Sequence, residues 1–402
     1  MGRVARSQVP GPLAPFAEGF RSELDRLGYT PLTREFKVNE MARLSRWLEA
    51  RGLSAGDLDE GKVNAFSAQA RAAGKRSPTE WAMRPLLAWL RDQKVIGALP
   101  PAPREAADNL IDEYRQWMVA ERALSARTIE RYEKGARSFL HWRAGGDRDA
   151  VGVEGLDAEA VTGFLLSEAS RGLAPDSLRD RVAELRSLMK FLYLRGITST
   201  PLGLTVPPVP GWKDARVPPR LSPVEVTALL DSCDRATPTG KRDFAVLLLL
   251  ARLGLRAAEV TGLALEDLDW RRAEVAVHGK AGRSDRMPLP TDVGEALATY
   301  INEARPRSGW RNVFLSAVAP PRPLARNTVS QTVWRQCRRA GLGPFRAHRL
   351  RHALACQLLG LGVTLPEIAQ VLRQRDLATT ASYAKLDYAS LRGLALPWPV
   401  AR

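Results

Sequence analysis

Ala347-His348-Arg349-Leu350-Arg351-His352 holds two of the four histidines in the 402-residue chain and sets two arginines between them. Leu350, Leu354 and Leu358 follow at helical spacing, with Leu359 one step off the stripe. The pattern predicts a helix over 348–361. Its first turn carries His348 and Arg351 three residues apart on one face, with Arg349 and His352 on the flanking faces. Paired Arg and His at a helix start suit an anion. A solvated basic helix end is the plain alternative, and so short a motif does not choose between the two by itself.

Composition narrows the partners. The net charge is +16, so self-repulsion calls for a polyanion, and nucleic acid is the first candidate. The basic residues are spread along the chain rather than gathered on one amphipathic helix, which argues against a membrane surface. The longest apolar run, 244–251, is far short of a bilayer span, and the N-terminus lacks the apolar stretch of a signal peptide. Cys233, Cys337 and Cys356 lie far apart and read as buried thiols of a reducing compartment; no metal site is expected.

Along the chain, 1–14 is rich in Pro and Gly and reads as a disordered N-terminus. Residues 15–98 read as a helical domain with helices over 15–27, 33–51, 60–73 and 78–94, Thr33 and Ser77 being plausible starts. A Pro-rich join leads to a second helical domain over 104–200. The two share a pattern: Leu58-Asp59-Glu60 answers Leu156-Asp157-Ala158, Phe66 answers Phe164, and Trp47 answers the pair Phe139 and Trp142. This predicts two copies of one small helical module. A Pro-rich linker spans 201–219 and carries Lys213 and Arg216, which suit a phosphate backbone. The C-terminal domain, 220–402, opens with a helix capped by Ser222, then an all-round apolar helix over 242–253. Alternating segments at 268–270, 274–278 and 287–289, with Gly279-Lys280-Ala281-Gly282 as a turn, predict a small antiparallel sheet, and 313–315 predicts a short extra strand. Helices are expected over 292–304, 327–341, 348–361, 365–372 and 379–394. The fold class is therefore mainly α with a small antiparallel β-sheet in the C-terminal domain.

Four features of that domain belong together. Arg256 follows Gly254-Leu255 and is followed one turn later by Glu259, which suits a braced guanidinium fork for phosphate. Lys280 sits at a Gly-flanked hairpin tip. His348 and Arg351 open a helix. Tyr383 follows the paired Thr379-Thr380. In this order the residues resemble the tyrosine recombinases, the phage-integrase-type site-specific recombinases. The likeness spans roughly 105–395. Gly-Leu-Arg with its carboxylate falls on Gly254, Leu255, Arg256 and Glu259; the His-x-x-Arg box falls on His348, Leu350, Arg351 and His352; the hairpin lysine falls on Lys280 and the nucleophile on Tyr383. One position departs. Where the family places His, often within Leu-Gly-His, or Trp, this chain has Leu372-Arg373-Gln374.

The resemblance implies the integrase catalytic fold preceded by SAM-like core-binding helical domains. It implies that Arg256 and Arg351 clamp a scissile phosphate, that His348 and Gln374 add hydrogen-bond donors, and that Tyr383 attacks to form a 3′-phosphotyrosyl link. Lys280 would protonate the leaving oxygen, with Glu259 and His352 in support. No metal, ATP or other cofactor is required. Partners implied are double-stranded DNA sites and further copies of the chain, a dimer on one site and a tetramer in synapsis, with a partner recombinase or accessory protein as an open addition. Arg335, Arg338, Arg339, Arg346 and Arg349 are expected along DNA phosphates. A bacterial, cytoplasmic, nucleoid-associated enzyme that integrates or excises a mobile element fits this reading. A DNA-binding relative with weakened catalysis and a type IB topoisomerase-like relaxase stay open beside it.

Overall fold

The computed structural model describes residues 6–74, 80–99, 104–208, 221–279 and 284–374. Lys213, Arg216, Lys280, Tyr383 and the helix expected over 379–394 lie outside these residues. The chain divides into two compact units, one made of 1–98 with 217–402 and the other of 99–216.

Four helices build the N-terminal segment: α1 (Ala17–Arg26), α2 (Pro31–Glu49), α3 (Glu60–Ala72) and α4 (Glu80–Asp92). The second unit repeats the plan with α5 (Asp108–Ala120), α6 (Ala126–Arg143), α7 (Ala158–Ser170) and α8 (Pro175–Leu194). The likeness extends to helix caps and aromatic contacts. Thr30 caps α2 and Ser125 caps α6, each accepting from the N–H of a threonine three residues on, Thr33 or Thr128. Asp59 and Asp157 cap α3 and α7 in the same way. Trp47 meets Phe66 at 5.9 Å between ring centroids, and Trp142 meets Phe164 at 5.5 Å. Each module has its own apolar core.

Three expectations about boundaries are corrected. The start of α2 is Thr30 rather than Thr33, because Thr33 serves as the donor that Thr30 caps. Residues 6–14 are not disordered: Leu13 is fully buried and its N–H donates to Ser45 Oγ at 3.0 Å. The linker begins later than 201, since Leu202 and Val206 join the core of the second unit and Arg186 donates to the Val206 carbonyl.

In the C-terminal half, the capping box of Ser222 and Glu225 starts α9 (Pro223–Asp231). Then α10 (Pro238–Arg252) runs through the middle of the core, with Ala245 to Leu250 all buried. It begins earlier than 242 because Thr237 caps it and Pro238 fits its first turn. The short α11 (Ala257–Gly262) follows a sharp turn at Gly254. Strands β1 (Leu268–Asp269), β2 (Glu274–His278) and β3 (Ser284–Pro288) form the expected antiparallel sheet in the order β1-β2-β3. Val313 to Leu315 is buried but makes only isolated bridges, Ala264 to Asn312 and Leu315 to Pro323, so no strand forms there. The remaining helices are α12 (Thr291–Glu303), α13 (Arg326–Arg339), α14 (His348–Gly360) and α15 (Leu365–Val371). Among the described residues no helix is long and apolar enough to cross a membrane. Cys233 and Cys337 are buried thiols, whereas Cys356 is half-buried.

Gly254 fixes the entry to α11. Its φ of +57° is in the left-handed region, and a Cβ there would stand 2.7 Å from Leu372 Cδ2 and 3.1 Å from Leu354 Cδ2. Gly254→Ala therefore combines backbone strain with overpacking and should lower stability by about 2–4 kcal/mol. Chemical denaturation of the two proteins measures the difference.

Candidate active site

Arg256 stands in extended conformation at the junction between α10 and α11, so it is the N-cap of the second helix rather than the end of the first. Glu259, three residues on, reaches back in two ways. Its Oε2 accepts from the Arg256 backbone N–H at 2.8 Å, and its Oε1 from Arg256 Nη1 at 2.7 Å. The local sequence therefore orients its own arginine. The Arg256 side chain remains 43% exposed while that of Glu259 is 5% exposed, so the guanidinium keeps an open edge and the carboxylate does not. Burial alone would raise the Glu259 carboxyl. The Arg256 N–H and the Arg373 and Arg256 guanidinia outweigh it and hold the group below the usual carboxylate range.

Arg351, in the first turn of α14, has no exposed surface. Its Nη1 donates to the Gly254 carbonyl at 2.5 Å, and its Nη2 donates to the Leu372 carbonyl. The guanidinium thereby ties together the turn before Arg256, the start of α14 and the end of α15. Leu350, on the same helix, enters the main core, and Leu354, Leu358 and Leu359 pack in a smaller cluster with Ile368 and Leu372.

His348 and Arg351 do not form a simple surface pair. The ring that His348 meets is His352, at 4.4 Å between centroids and 84° between planes. One edge of His348 faces solvent, but protein packed around the rest of the ring lowers its pKa, and the nearby Arg351 and Arg256 charges lower it further. His352 is brought down to about 4, first by burial and then by His348, Arg349 and Arg351. Both shifts favour the neutral imidazole. The start of α11, carrying Arg256, and the first turn of α14, carrying His348 and Arg351, thus meet at one place.

Gln374 follows directly on this cluster. Arg373 adopts a φ of +53° and closes α15 with a left-handed turn, in which the Gln374 N–H donates to the Ala369 carbonyl. The Arg373 side chain turns inward to Glu259 Oε2 at 2.9 Å. Reading the sequence alone passed over Arg373; the signal was an arginine at the turn position where the resemblance leads one to expect glycine. Lys280 falls in sequence between β2 and β3, whose described ends pair His278 with Ser284. Together with Tyr383, it lies outside the described residues.

The arginines expected along DNA have different surroundings. Arg335 forms an ion pair with the fully buried Asp243, which gives it a structural partner. Arg338 stacks over the Trp334 ring at 4.9 Å, and Arg349 over Phe345 at 5.5 Å. Arg339 and Arg346 are exposed. Among the described residues, no three His, Cys, Asp or Glu side chains gather as metal ligands.

The chain is similar to known proteins over most of its length. Residues 219–390 match the model of the phage integrase family, and 111–196 match the phage integrase N-terminal SAM-like domain. An integrase/recombinase of Sinorhizobium fredii is 36% identical over 98% of this chain and 97% of its own length. Tyrosine recombinase XerD of Listeria innocua is 29% identical over 71% of this chain and 96% of its own. Among solved structures, a lambda integrase dimer bound to a COC′ core site is similar with a TM-score of 0.54, 16% identity, and coverage of 73% of this chain and 98% of that one. A lambda integrase tetramer bound to a Holliday junction matches with a TM-score of 0.52 and 16% identity over 75% of this chain and 85% of that one.

The lowered histidine pKa values set a pH dependence. Folded His352 binds its proton near pH 4 and the unfolded residue near pH 6.5, so between these values the unfolded state holds more protons. Stability is therefore full above about pH 6.5 and falls as the pH drops toward 4. His348 adds to the effect in the same direction. In denaturation series between pH 7 and 4, His352→Gln should show a shallower loss than the parent protein.

Proposed function

Because the chain belongs to the phage integrase family of tyrosine recombinases, we propose that it breaks and rejoins DNA at specific sites through a 3′-phosphotyrosyl intermediate on Tyr383. The observation that carries this reading is the convergence of Arg256 at the start of α11 with His348 and Arg351 in the first turn of α14, with Glu259 bracing Arg256.

In this mechanism the Arg256 guanidinium, with its open edge, and the charge of Arg351 behind it offset the negative charge that builds on the non-bridging oxygens. Donors fixed in advance stabilise a pentacovalent transition state because they need no reorganisation. Neutral His348 and the Gln374 amide add hydrogen bonds but no charge. The Tyr383 hydroxyl releases its proton to solvent as its oxygen forms a bond to phosphorus and the bond to the 5′ oxygen breaks, and Lys280 supplies the proton that the 5′ oxygen takes up. His352 supports His348 through ring contact. A second 5′-hydroxyl then attacks the phosphotyrosine, restoring the phosphodiester with the strands exchanged. The energy of the broken bond is kept in the covalent link.

The DNA-bound dimer and tetramer of lambda integrase support a dimer of this chain on each site and a tetramer in synapsis. Arg338, Arg339, Arg346 and Arg349 would follow phosphates next to the site, and Lys213 and Arg216 those near the linker. Arg335 would take part only from its ion pair with Asp243. Three cores support an N-terminal helical domain that takes in Leu13, a second helical domain that runs on to Val206, and a C-terminal domain from Leu221. The reaction serves integration or excision of a mobile element on this reading, a role supported by the integrase/recombinase relative.

A nicked duplex that traps the covalent intermediate tests the chemistry. The wild-type protein should form an adduct, Tyr383→Phe should form none, and Arg256→Ala should slow adduct formation about 100-fold or more. Strand exchange between two sites separates a recombinase from a relaxase, which would only remove supercoils. No adduct on any site would leave a DNA-binding relative.

The repeated helical plan also supports a DNA-contacting role for residues 15–98. A chain beginning near Ala102 should then bind its site about tenfold or more weakly, with a smaller dependence on salt. Equal binding in a gel-shift titration would remove that role.

A further inference from the structure

The carboxylate of Glu259 is shared by two guanidinia. Oε1 holds Arg256 Nη1, while Oε2 holds the Arg256 N–H and, at 2.9 Å, Arg373 Nη2. Arg373 and Glu259 are both nearly dry, with 8% and 5% of their side chains exposed, whereas Arg256 is 43% exposed. Arg373 also lies against the sulfur of Met287 on β3, the strand paired with β2. Its backbone adds a second observation. The left-handed position that closes α15 favours glycine and is strained for a residue with a side chain. The chain places its longest cation at that position and turns it into the protein.

A carboxylate beside Arg256 would by itself cancel most of the charge that Arg256 offers a phosphate. With Arg373 on the other oxygen, the three groups together carry one net positive charge. Burial of Glu259 and Arg373 keeps solvent and salt from screening that balance. Arg373 is too enclosed to meet the phosphate itself, so its effect passes through Glu259.

We propose that Arg373 is a positioning residue of the cleavage site. It takes up Glu259 as counter-ion, so that Arg256 presents its full charge to the scissile phosphate, and it restores beside Gln374 the positive charge that Gln374 does not carry. This rests on the recombinase reading above. It concerns the step in which the Tyr383 oxygen bonds to phosphorus, the bond to the 5′ oxygen breaks and that oxygen takes a proton from Lys280.

The test measures single-turnover adduct formation by the full chain on the nicked duplex, beside DNA affinity. Arg373→Met should slow the reaction about 10- to 100-fold with affinity changed by no more than about threefold. Arg373→Lys, which keeps a cation beside Glu259, should recover most of the rate. The double variant Glu259→Gln with Arg373→Met removes both partners and should react faster than Arg373→Met alone. A duplex with a methylphosphonate at the scissile position carries one charge less, and on it the loss from Arg373→Met should shrink. A merely structural arginine would give the same loss on both duplexes and no gain from the double variant, which would overturn the inference, as would an Arg373→Met rate equal to wild type. If Arg373→Met fails to fold, Arg373→Lys and the double variant still decide by their rates on the two duplexes. A wild-type protein that forms no adduct would overturn the recombinase reading and this inference with it; a wild-type adduct with any of the contrary results would overturn the inference alone.

Discussion

The guanidinium of Arg351 is the joint of the C-terminal half. A charged side chain with no exposed surface is costly to bury unless its donors are met. Here backbone carbonyls from two distant places, Gly254 and Leu372, accept from its two terminal nitrogens. Neither carbonyl belongs to a flexible side chain, so the arginine fixes main chain to main chain. The turn at Gly254 sets where Arg256 begins α11, and Leu372 sets where Arg373 and Gln374 leave α15. The position of every described site residue is thus referred to one buried cation. The close fit of Gly254 against Leu372 and Leu354 is part of the same joint, since a side chain at 254 would push apart the segments that Arg351 draws together.

That arrangement sets the electrostatics. Among the described residues, Arg256 and Arg373 share the Glu259 carboxylate, and Arg351 adds a third cation close by whose own partners are main-chain carbonyls. Burial first, and then the surplus positive charge, make the histidines beside it favour the neutral form: protonating either would add a cation to a partly dry, already cationic place. The surplus positive charge also explains why Glu259 stays ionised despite burial. A site with uncompensated cations and neutral donors is complementary to an anion with several acceptor oxygens. A phosphodiester in an in-line transition state meets that description more fully than the ground state does, because its non-bridging oxygens gain charge as the leaving bond stretches.

The two helical modules show how far internal likeness reaches. Their helix caps and the Trp–Phe contacts correspond, and these are features of folding and core packing. Their surfaces differ around the matching tryptophans. Arg51 stacks over the Trp47 ring at 4.0 Å and Trp47 Nε1 donates to Gln69, whereas Trp142 stacks with Phe139 and borders Gly163. Duplication of a core conserves the scaffold while side chains on its outside are free to take other work.

What could be read from the sequence follows from the range of the interactions involved. Ser222 with Glu225, and Arg256 with Glu259, are pairs three residues apart whose geometry is dictated by the helix they start, so the residues announce the contact. The apolar run through Leu247 to Leu250 likewise announces a central helix. Thr30 was missed as a cap because Thr33, three residues later, satisfies the same local rule, and the choice depends on where the chain enters from α1. Val313 to Leu315 has the composition of a strand, but it meets its neighbours at single bridges and forms no ladder. Arg351 reads as a surface member of a basic helix start because its acceptors are main-chain carbonyls, which carry no residue signature. Arg373 is the furthest case. Its carboxylate is 114 residues away, and the pair exists only because the joint at Arg351 brings the end of α15 against the start of α11. The neutral Gln374 looks like a loss when the motif is read alone. In the folded chain the neighbouring residue carries the charge, so the property to compare with the family is the net charge around the phosphate rather than the residue at any one position.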